Sequence, residues 1–307
     1  MTTEGGGGSG KTMLAFGHGY SAAALSHRLL PQGWRVIGTT RDAAKAPAMV
    51  AAGVEPLIWP GEDEAGVLAA LREATHLLLS AAPDQTAGDP VLARLGEALR
   101  ARVADPALRP LDWVGYLSTT GVYGDRAGGT VTEADALTPA TRRGQARVVA
   151  ETAWGALAQE TGLPLHIFRL AGIYGPGRGP FAKLRAGTAR RIVKPGQIFS
   201  RIHVEDIASV LEASIARPRP GAIYNLCDNE PAPPETVIGY AAELLGLPLP
   251  PEEPFDQAEM TPMARSFYAE SKRVSNALIR EELGVVLRYP SYREGLASLL
   301  AAEDGAG

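Results

Sequence analysis

Short runs of consecutive apolar residues alternate along this chain with stretches in which apolar positions recur every three or four residues. Met13-Leu-Ala-Phe16 halts at Gly17, and Ser21 to Leu30 then keeps helical spacing up to Pro31, which reads as strand, tight turn, helix. Trp34 to Ile37 is a second strand, followed by an Ala-rich segment that Gly53 ends. Leu57-Ile58-Trp59 is a third. Glu64 to Ala74 is helical, Leu77 to Leu79 is a fourth strand, Val91 to Val103 is helical and Trp113 to Leu117 is a fifth strand. A long helix is expected from Thr141 to Gln159, then a strand at Leu165 to Leu170 and another at Ile223 to Leu226. Continuously apolar strands alternating with helices mark a parallel sheet covered on both faces. The expected fold class is therefore α/β, a doubly wound parallel sheet of about seven strands.

After Leu170 the rhythm changes. Residues 172–197 are rich in Gly, Pro and Arg, and residues 231–262 are rich in Pro and Glu around one helix at Glu235 to Leu245. Such segments, added after the sheet, are where α/β proteins place specificity loops. The expected organisation is a flexible tail (1–11), a nucleotide-binding domain (12–175 with 198–228) and a smaller C-terminal substrate-binding lobe (176–197 with 229–303). The last four residues are expected to be disordered like the first ten.

Composition narrows the partners. The 307 residues are 45% hydrophobic and 21% charged, with 35 Gly and 24 Pro, an ordinary globular content. Thirty basic against 34 acidic side chains leave a net charge of -4, which offers no attraction for nucleic acid or an anionic membrane. The single Cys227 allows no internal disulfide and reads as a core thiol. No apolar run approaches the roughly 18 residues of a membrane helix, and Met1 to Gly10 lacks the parts of a signal peptide. A soluble cytoplasmic protein acting on a small molecule is expected, with no metal site.

Two glycine-rich strings compete as phosphate cradles. Gly5-Gly-Gly-Gly-Ser-Gly-Lys-Thr12 spells the P-loop pattern, but that loop must follow a strand and open a helix, whereas here a strand follows it. A Gly/Ser tail is the better reading. Gly17-His18-Gly19-Tyr20-Ser21-Ala22 has the right context, after the first strand and before the first helix. Gly17 permits the turn, Gly19 lets backbone approach a pyrophosphate, and Ala22 lets the helix pack closely with its positive dipole end toward the anion. Where a dinucleotide site usually has an acid for the ribose hydroxyls, this chain has Thr39-Thr40-Arg41. A guanidinium there suits a 2′-phosphate, which favours NADP over NAD, although Asp42, one residue later, leaves NAD open. Thr40, Arg41 and the turn Ser80-Ala81-Ala82 after the fourth strand complete the expected cofactor contacts.

Tyr116-Leu-Ser-Thr-Thr-Gly-Val-Tyr-Gly124 resembles the fifth strand and active-site loop of extended short-chain dehydrogenase/reductases, the NAD(P)-dependent epimerase/dehydratase group, here of an atypical kind. Arg169-Leu-Ala-Gly-Ile-Tyr-Gly-Pro-Gly-Arg178, Arg201-Ile-His-Val-Glu-Asp-Ile-Ala208 and Ile223-Tyr-Asn-Leu226 are similar to later motifs of that group, in the same order. The resemblance spans roughly residues 13 to 300, and ordered motifs are more specific together than singly. It implies a Rossmann domain and hydride transfer to or from a nicotinamide, with a Ser or Thr and a Tyr-x-x-x-Lys pair managing the proton. The Ser/Thr position falls on Thr119, with Thr120 beside it toward substrate. The pair falls on Arg143-Gly-Gln-Ala-Arg147, so both of its residues are replaced. An arginine stays protonated and cannot relay a proton at neutral pH. Arg147 keeps the charge of the lysine and can still bond ribose hydroxyls or an anionic substrate.

Arg143, Arg147 and Glu151 share one helical stripe, either a solvated face with an Arg147–Glu151 surface pair or an anion site. Tyr123 and Tyr174, in loops after the fifth and sixth strands, are candidate proton donors if neighbouring arginines lower their pKa, and packing residues otherwise. The resemblance places Arg178 and His203 along the substrate cleft, where His203 is more often structural than catalytic. It also leaves open a homodimer, with the helices at Val91 to Val103 and Thr141 to Gln159 paired across a two-fold axis. The leading expectation is an NAD(P)-dependent oxidoreductase or epimerase of a small anionic or nucleotide-sugar-like substrate. A catalytically degenerate NAD(P)-binding sensor or scaffold is the alternative, and a P-loop ATPase a distant third.

Overall fold

The computed structural model describes residues 10–304. Seven strands form one parallel sheet: β1 (Thr12–Phe16), β2 (Arg35–Thr40), β3 (Glu55–Ile58), β4 (His76–Leu79), β5 (Trp113–Thr119), β6 (Leu165–Leu170) and β7 (Ile223–Leu226). Their spatial order is β7-β6-β5-β4-β1-β2-β3, so the winding reverses between β1 and β4. Ligands of doubly wound sheets bind outside the carboxyl ends of strands at such a reversal. The α/β reading holds, strand for strand.

The chain divides into two compact units. The first comprises residues up to Ser118, Ala146–Phe168 and Ala208–Ile223; the second comprises Thr119–Gln145, Arg169–Ile207 and the residues from Tyr224 onward. This partition differs from the domain boundaries expected from sequence, because the segments after β5, β6 and β7 group with the second unit. The expected tail falls almost wholly on residues 1–9, and the last residues of the chain on 305–307, both outside the described range. Thr12 opens β1, so the Gly-Lys-Thr end of the P-loop string leads into a strand, the wrong element for that motif.

In the first unit, helices α1 (Tyr20–Leu29), α2 (Ala46–Ala51), α3 (Glu64–Glu73) and α4 (Pro90–Ala104) connect the strands. α4 starts where it does because Pro90 suits the first turn and the Asp89 carboxylate accepts from Val91 N and Leu92 N. The Ala-rich stretch after β2 is not one helix. It begins as a 3-10 turn at Ala43–Lys45 and continues as α2, with Pro47 in the first turn of α2. The core joins Leu14, Phe16, Leu77, Leu79, Val114 and Tyr116 from the strands to Leu95, Leu99, Trp154 and Leu157 from α4 and α5 (Arg142–Thr161).

The second unit holds α6 (Phe181–Arg185), the amino-terminal end of α7 (Val204–Ala216), α8 (Pro234–Leu244), α9 (Pro262–Phe267), α10 (Ala277–Glu281) and α11 (Tyr292–Asp304). Strands of two or three residues pair at Gly172–Tyr174 with Arg201–His203, and at Arg191–Val193 with Glu252–Pro254. They are too short to leave a periodic signal, so the segments read as loops. Tyr174, Phe181, Val237, Ala241, Tyr292 and Leu296 form this unit's core. No described helix is long and apolar enough to cross a membrane.

Candidate functional site

The glycine turn is fastened to its neighbours before any ligand is considered. Gly17 N donates to Thr39 Oγ1 at 2.8 Å and His18 N to Thr39 O at 2.8 Å, so one buried threonine at the end of β2 holds two successive amides. Gly17 has φ +82, and a Cβ there would stand 2.9 Å from Ala81 N and 3.1 Å from Ala81 Cα. Only glycine fits both demands. The side chain of His18 lies over Gly38, where a Cβ would meet His18 Cβ at 2.7 Å and the ring at 2.8 Å. The Ser26 hydroxyl donates to Ala22 O, so it accepts from His18 Nε2 at 2.9 Å, and burial lowers the pKa of the ring.

Gly19 then caps α1 with no side-chain hydrogen bond, and the first turn of α1 contains no acidic residue. The amides of Ser21 and Ala22 keep the positive end of the helix dipole uncompensated, a ready anion site. Ser80 N bonds Phe16 O, which seats the Ser80-Ala81-Ala82 turn at the end of β4 beside Gly17. A backbone cradle that a Cβ would fill, lined by small residues and open amides, fits the pyrophosphate of a dinucleotide.

At the end of β2, Asp42 has another task. Its Oδ1 accepts from Ala44 N, capping the 3-10 turn, and its N bonds Thr40 Oγ1. Arg41 is exposed and has no acceptor among the described residues. The guanidinium stands where a ribose acid usually does; the carboxylate is a cap.

The arginine stripe of α5 splits. Arg147 is half-buried, and its Nη1 donates to Leu117 O at 2.6 Å and Tyr116 OH at 3.1 Å. Glu151 is buried and accepts from the Ser118 hydroxyl. The expected Arg147–Glu151 surface pair is therefore absent: both side chains turn to β5, where a buried carbonyl and hydroxyl offer partners that solvent would otherwise have to supply. Nε and Nη2 of Arg147 remain without a protein acceptor among the described residues. Arg143 is exposed, its guanidinium 5.1 Å from the ring centroid of Phe267.

In the second unit Thr119 Oγ1 accepts from Gly121 N at 3.2 Å, which leaves its O–H to donate. Thr120 is half-buried beside it. Tyr123 is fully buried, donates to Asn225 Oδ1 at 2.7 Å and accepts from Arg169 Nη1 at 2.9 Å. Burial raises its pKa, outweighing the opposite pull of Arg169. Tyr174 donates to Ser291 O at 3.3 Å; burial raises its pKa too, with Asp228 adding to the shift. Neither tyrosine has the lowered pKa that a donor at these positions requires, because desolvation of the phenolate exceeds what the arginines return. His203 is 1% exposed, lies between Tyr174 and Tyr289, accepts from Glu205 N through Nδ1, and has a pKa lowered by burial to about 4. Such a ring stays neutral and packs. Arg178 is exposed in the turn that Gly175 and Arg178 close. Cys227 is buried and bonds Val274 O, a core thiol. The described residues contain no cluster of His, Cys, Asp and Glu able to hold a metal ion.

The structure thus brings Gly17 to Ala22, Arg41 and Ser80 to Ala82 to the carboxyl ends of three adjacent strands, and spreads the proposed proton donors into packing roles. Sequence reasoning missed Thr39 and Gly38 as the residues that fix the turn. A buried threonine ending an otherwise apolar strand was the available signal.

Comparisons with known proteins agree on the fold. The family described as NAD dependent epimerase/dehydratase matches residues 14–227. Protein YeeZ of Escherichia coli (strain K12) is 30% identical over 289 residues, 91% of this chain and 97% of that protein. A conserved protein of unknown function from Silicibacter pomeroyi DSS is 59% identical with a TM-score of 0.87, covering 96% of this chain and 99% of that one. The dTDP-glucose 4,6-dehydratase of Bacillus anthracis str. Ames, solved in complex with NAD, superposes with a TM-score of 0.76 at 17% identity, over 96% of this chain and 97% of that one. That last likeness speaks for the fold alone.

Proposed function

This chain belongs to the NAD dependent epimerase/dehydratase family, and from that premise we propose that its first unit binds NADP(H) and that the protein is an oxidoreductase or epimerase of a small anionic or sugar-like substrate. The observation that carries the cofactor choice is the division of labour after β2: Asp42 is occupied as a cap, and the unpaired Arg41 is left to meet a 2′-phosphate. Gly17, Gly19, Ser21 and Ala22 would hold the pyrophosphate, and Ser80 to Ala82 would line its other side. Bound there, the nicotinamide supplies or takes a hydride. Arg147, fixed to Leu117 O, offers its remaining N–H groups to ribose hydroxyls or to an anionic substrate. Thr119 donates its hydroxyl proton in a hydrogen bond to a substrate oxygen, and with no tyrosine in position the proton itself exchanges with water.

Calorimetric titration of NADPH and NADH tests the binding half. NADPH is expected to bind at least about tenfold more tightly, and Arg41→Ala to remove that preference while leaving NADH unchanged, since a charge-assisted pair contributes about 1.5–3 kcal/mol. Equal affinities would refute the role of Arg41. Oxidation of NADPH across carbonyl and nucleotide-sugar substrates tests the chemical half.

A second reading, an NAD(P)-binding sensor without catalysis, is favoured by the raised pKa values of Tyr123 and Tyr174 and by Arg143 lying over Phe267. NADPH binding without turnover on any substrate would decide for it. Under that reading Arg143→Tyr with Arg147→Lys is expected to create measurable turnover.

A further inference from the structure

The second unit contains a cavity of about 210 Å³ whose wall is mostly apolar and carries one charged lining residue, Arg201. Tyr174, Val237, Ile238, Tyr292 and Leu296 supply hydrocarbon and aromatic surface, and Arg201 supplies a guanidinium. That guanidinium is held rigidly. Its Nη1 donates to Phe199 O at 3.1 Å and to Ala232 O at 2.9 Å, two carbonyls that Phe199 and Ala232 bring together by pairing as an isolated bridge. The opposite, side-on edge is different: Nε and Nη2 find no acceptor among the described residues, and Arg201 forms no ion pair there.

Asp228 and Glu235 lie within electrostatic reach of Arg201, but neither carboxyl group hydrogen-bonds it, and a half-buried cation without a hydrogen-bonded counterion is costly. The parallel Nε–H and Nη2–H of a guanidinium match the two oxygens of a carboxylate. A phosphate would need several further donors for its remaining oxygens, and apart from the tyrosine hydroxyls the surrounding wall offers hydrocarbon and aromatic surface. The volume lies below the roughly 300–1,000 Å³ of drug-sized sites, so the occupant is of fragment size.

We infer that this cavity is a binding site for a small carboxylate with an apolar body, its carboxyl group gripped by the Nε/Nη2 edge of Arg201 and its hydrocarbon or ring seated between Tyr174, Tyr292 and the Val237–Ile238 wall. The inference concerns the second unit by itself and stands whether or not the first unit binds a dinucleotide.

Benzoate, its neutral analogue benzamide, and inorganic phosphate serve as probes, followed by calorimetry and saturation-transfer NMR on the full chain. Benzoate is expected to bind saturably in the millimolar range or tighter, benzamide at least about tenfold more weakly, and phosphate without displacing benzoate. Arg201→Met is expected to weaken benzoate at least about tenfold. Since that variant also removes a donor that Phe199 O and Ala232 O share, Ile238→Trp, which fills the cavity from its α8 wall and leaves Arg201 in place, provides the second test and is expected to block benzoate while leaving thermal unfolding close to that of the parent. Absence of saturable benzoate binding overturns the inference. So does equal binding of benzamide, undiminished binding to a folded Ile238→Trp protein, or displacement of benzoate by phosphate at equal concentration.

Discussion

Gly17→Val is expected to abolish dinucleotide binding, weakening NADPH by more than about a hundredfold, and to destabilise the first unit at the same time. Two independent penalties meet at this residue. The φ of +82 lies in the left-handed region, which costs a β-branched side chain on the order of 1–3 kcal/mol. A Cβ at 2.9 Å from Ala81 N also strikes backbone, which cannot rotate out of the way as a side chain would. Relief requires the turn to move away from β4. That movement breaks the bonds from Gly17 N and His18 N to Thr39 and swings the amides of Ser21 and Ala22 off the line they share with Ser80 to Ala82. Gly17→Ala is expected to show the same loss in smaller measure. Calorimetry with NADPH and urea unfolding, measured on the same preparations, separate the two effects. A folded Gly17→Val protein that still bound NADPH with parental affinity would remove this turn from the site.

The glycine turn was legible because its chemistry is local: a left-handed residue, a close approach and an open helix terminus are each written as Gly or Ala at fixed spacing. The sheet was legible because strands buried on both faces must be apolar throughout. What stayed illegible depends on who occupies whom. Asp42 looks available to a ribose until the backbone of Ala44 claims it, and nothing in Thr-Thr-Arg-Asp says which of the two charged residues is engaged. Arg147 and Glu151 look like a helical ion pair four residues apart until β5 offers each of them a better partner. Tyr123 and Tyr174 carry the same side chain that a proton donor would, and burial, a property of the whole fold, sets their pKa in the unhelpful direction. Arg201 and Asp228 escape notice for a different reason. They stand on and after very short or terminating strands, where periodicity gives no indication of which side chain faces inward.

Asp228 has the largest expected effect on stability. It is 2% exposed; its Oδ1 accepts from Glu230 N at 3.2 Å, and its Oδ2 has no partner among the described residues. Burial pushes its pKa up from 3.8 to about 8, against the hydrogen bond from Glu230 and the attraction of Arg201. The sign follows from where the proton sits. Below pH 3.8 the carboxyl is protonated in folded and unfolded chains alike and contributes no pH dependence. Between pH 3.8 and about 8 the unfolded chain ionises while the folded one retains its proton, so stability falls as pH rises, by roughly 1.4 kcal/mol per unit. The interval of about four units makes the full effect on the order of 5 kcal/mol at pH 8. Asp228→Asn keeps the acceptor for Glu230 N and removes the ionisation. It is expected to match the parent near pH 4 and to exceed it by several kcal/mol at pH 8, read from urea unfolding across that range. His76 and His203, with pKa values lowered by burial to about 4, act in the opposite direction below pH 6.5, where the unfolded chain gains protons that the folded one refuses. Both proteins share those histidines, so the difference between their curves isolates Asp228. Parallel curves would mean that this carboxyl is ionised in the folded protein, with Arg201 as its effective counterion. That outcome would also weaken the case for Arg201 as a cation awaiting a carboxylate, whereas a diverging pair of curves leaves the guanidinium without a resident anion at neutral pH.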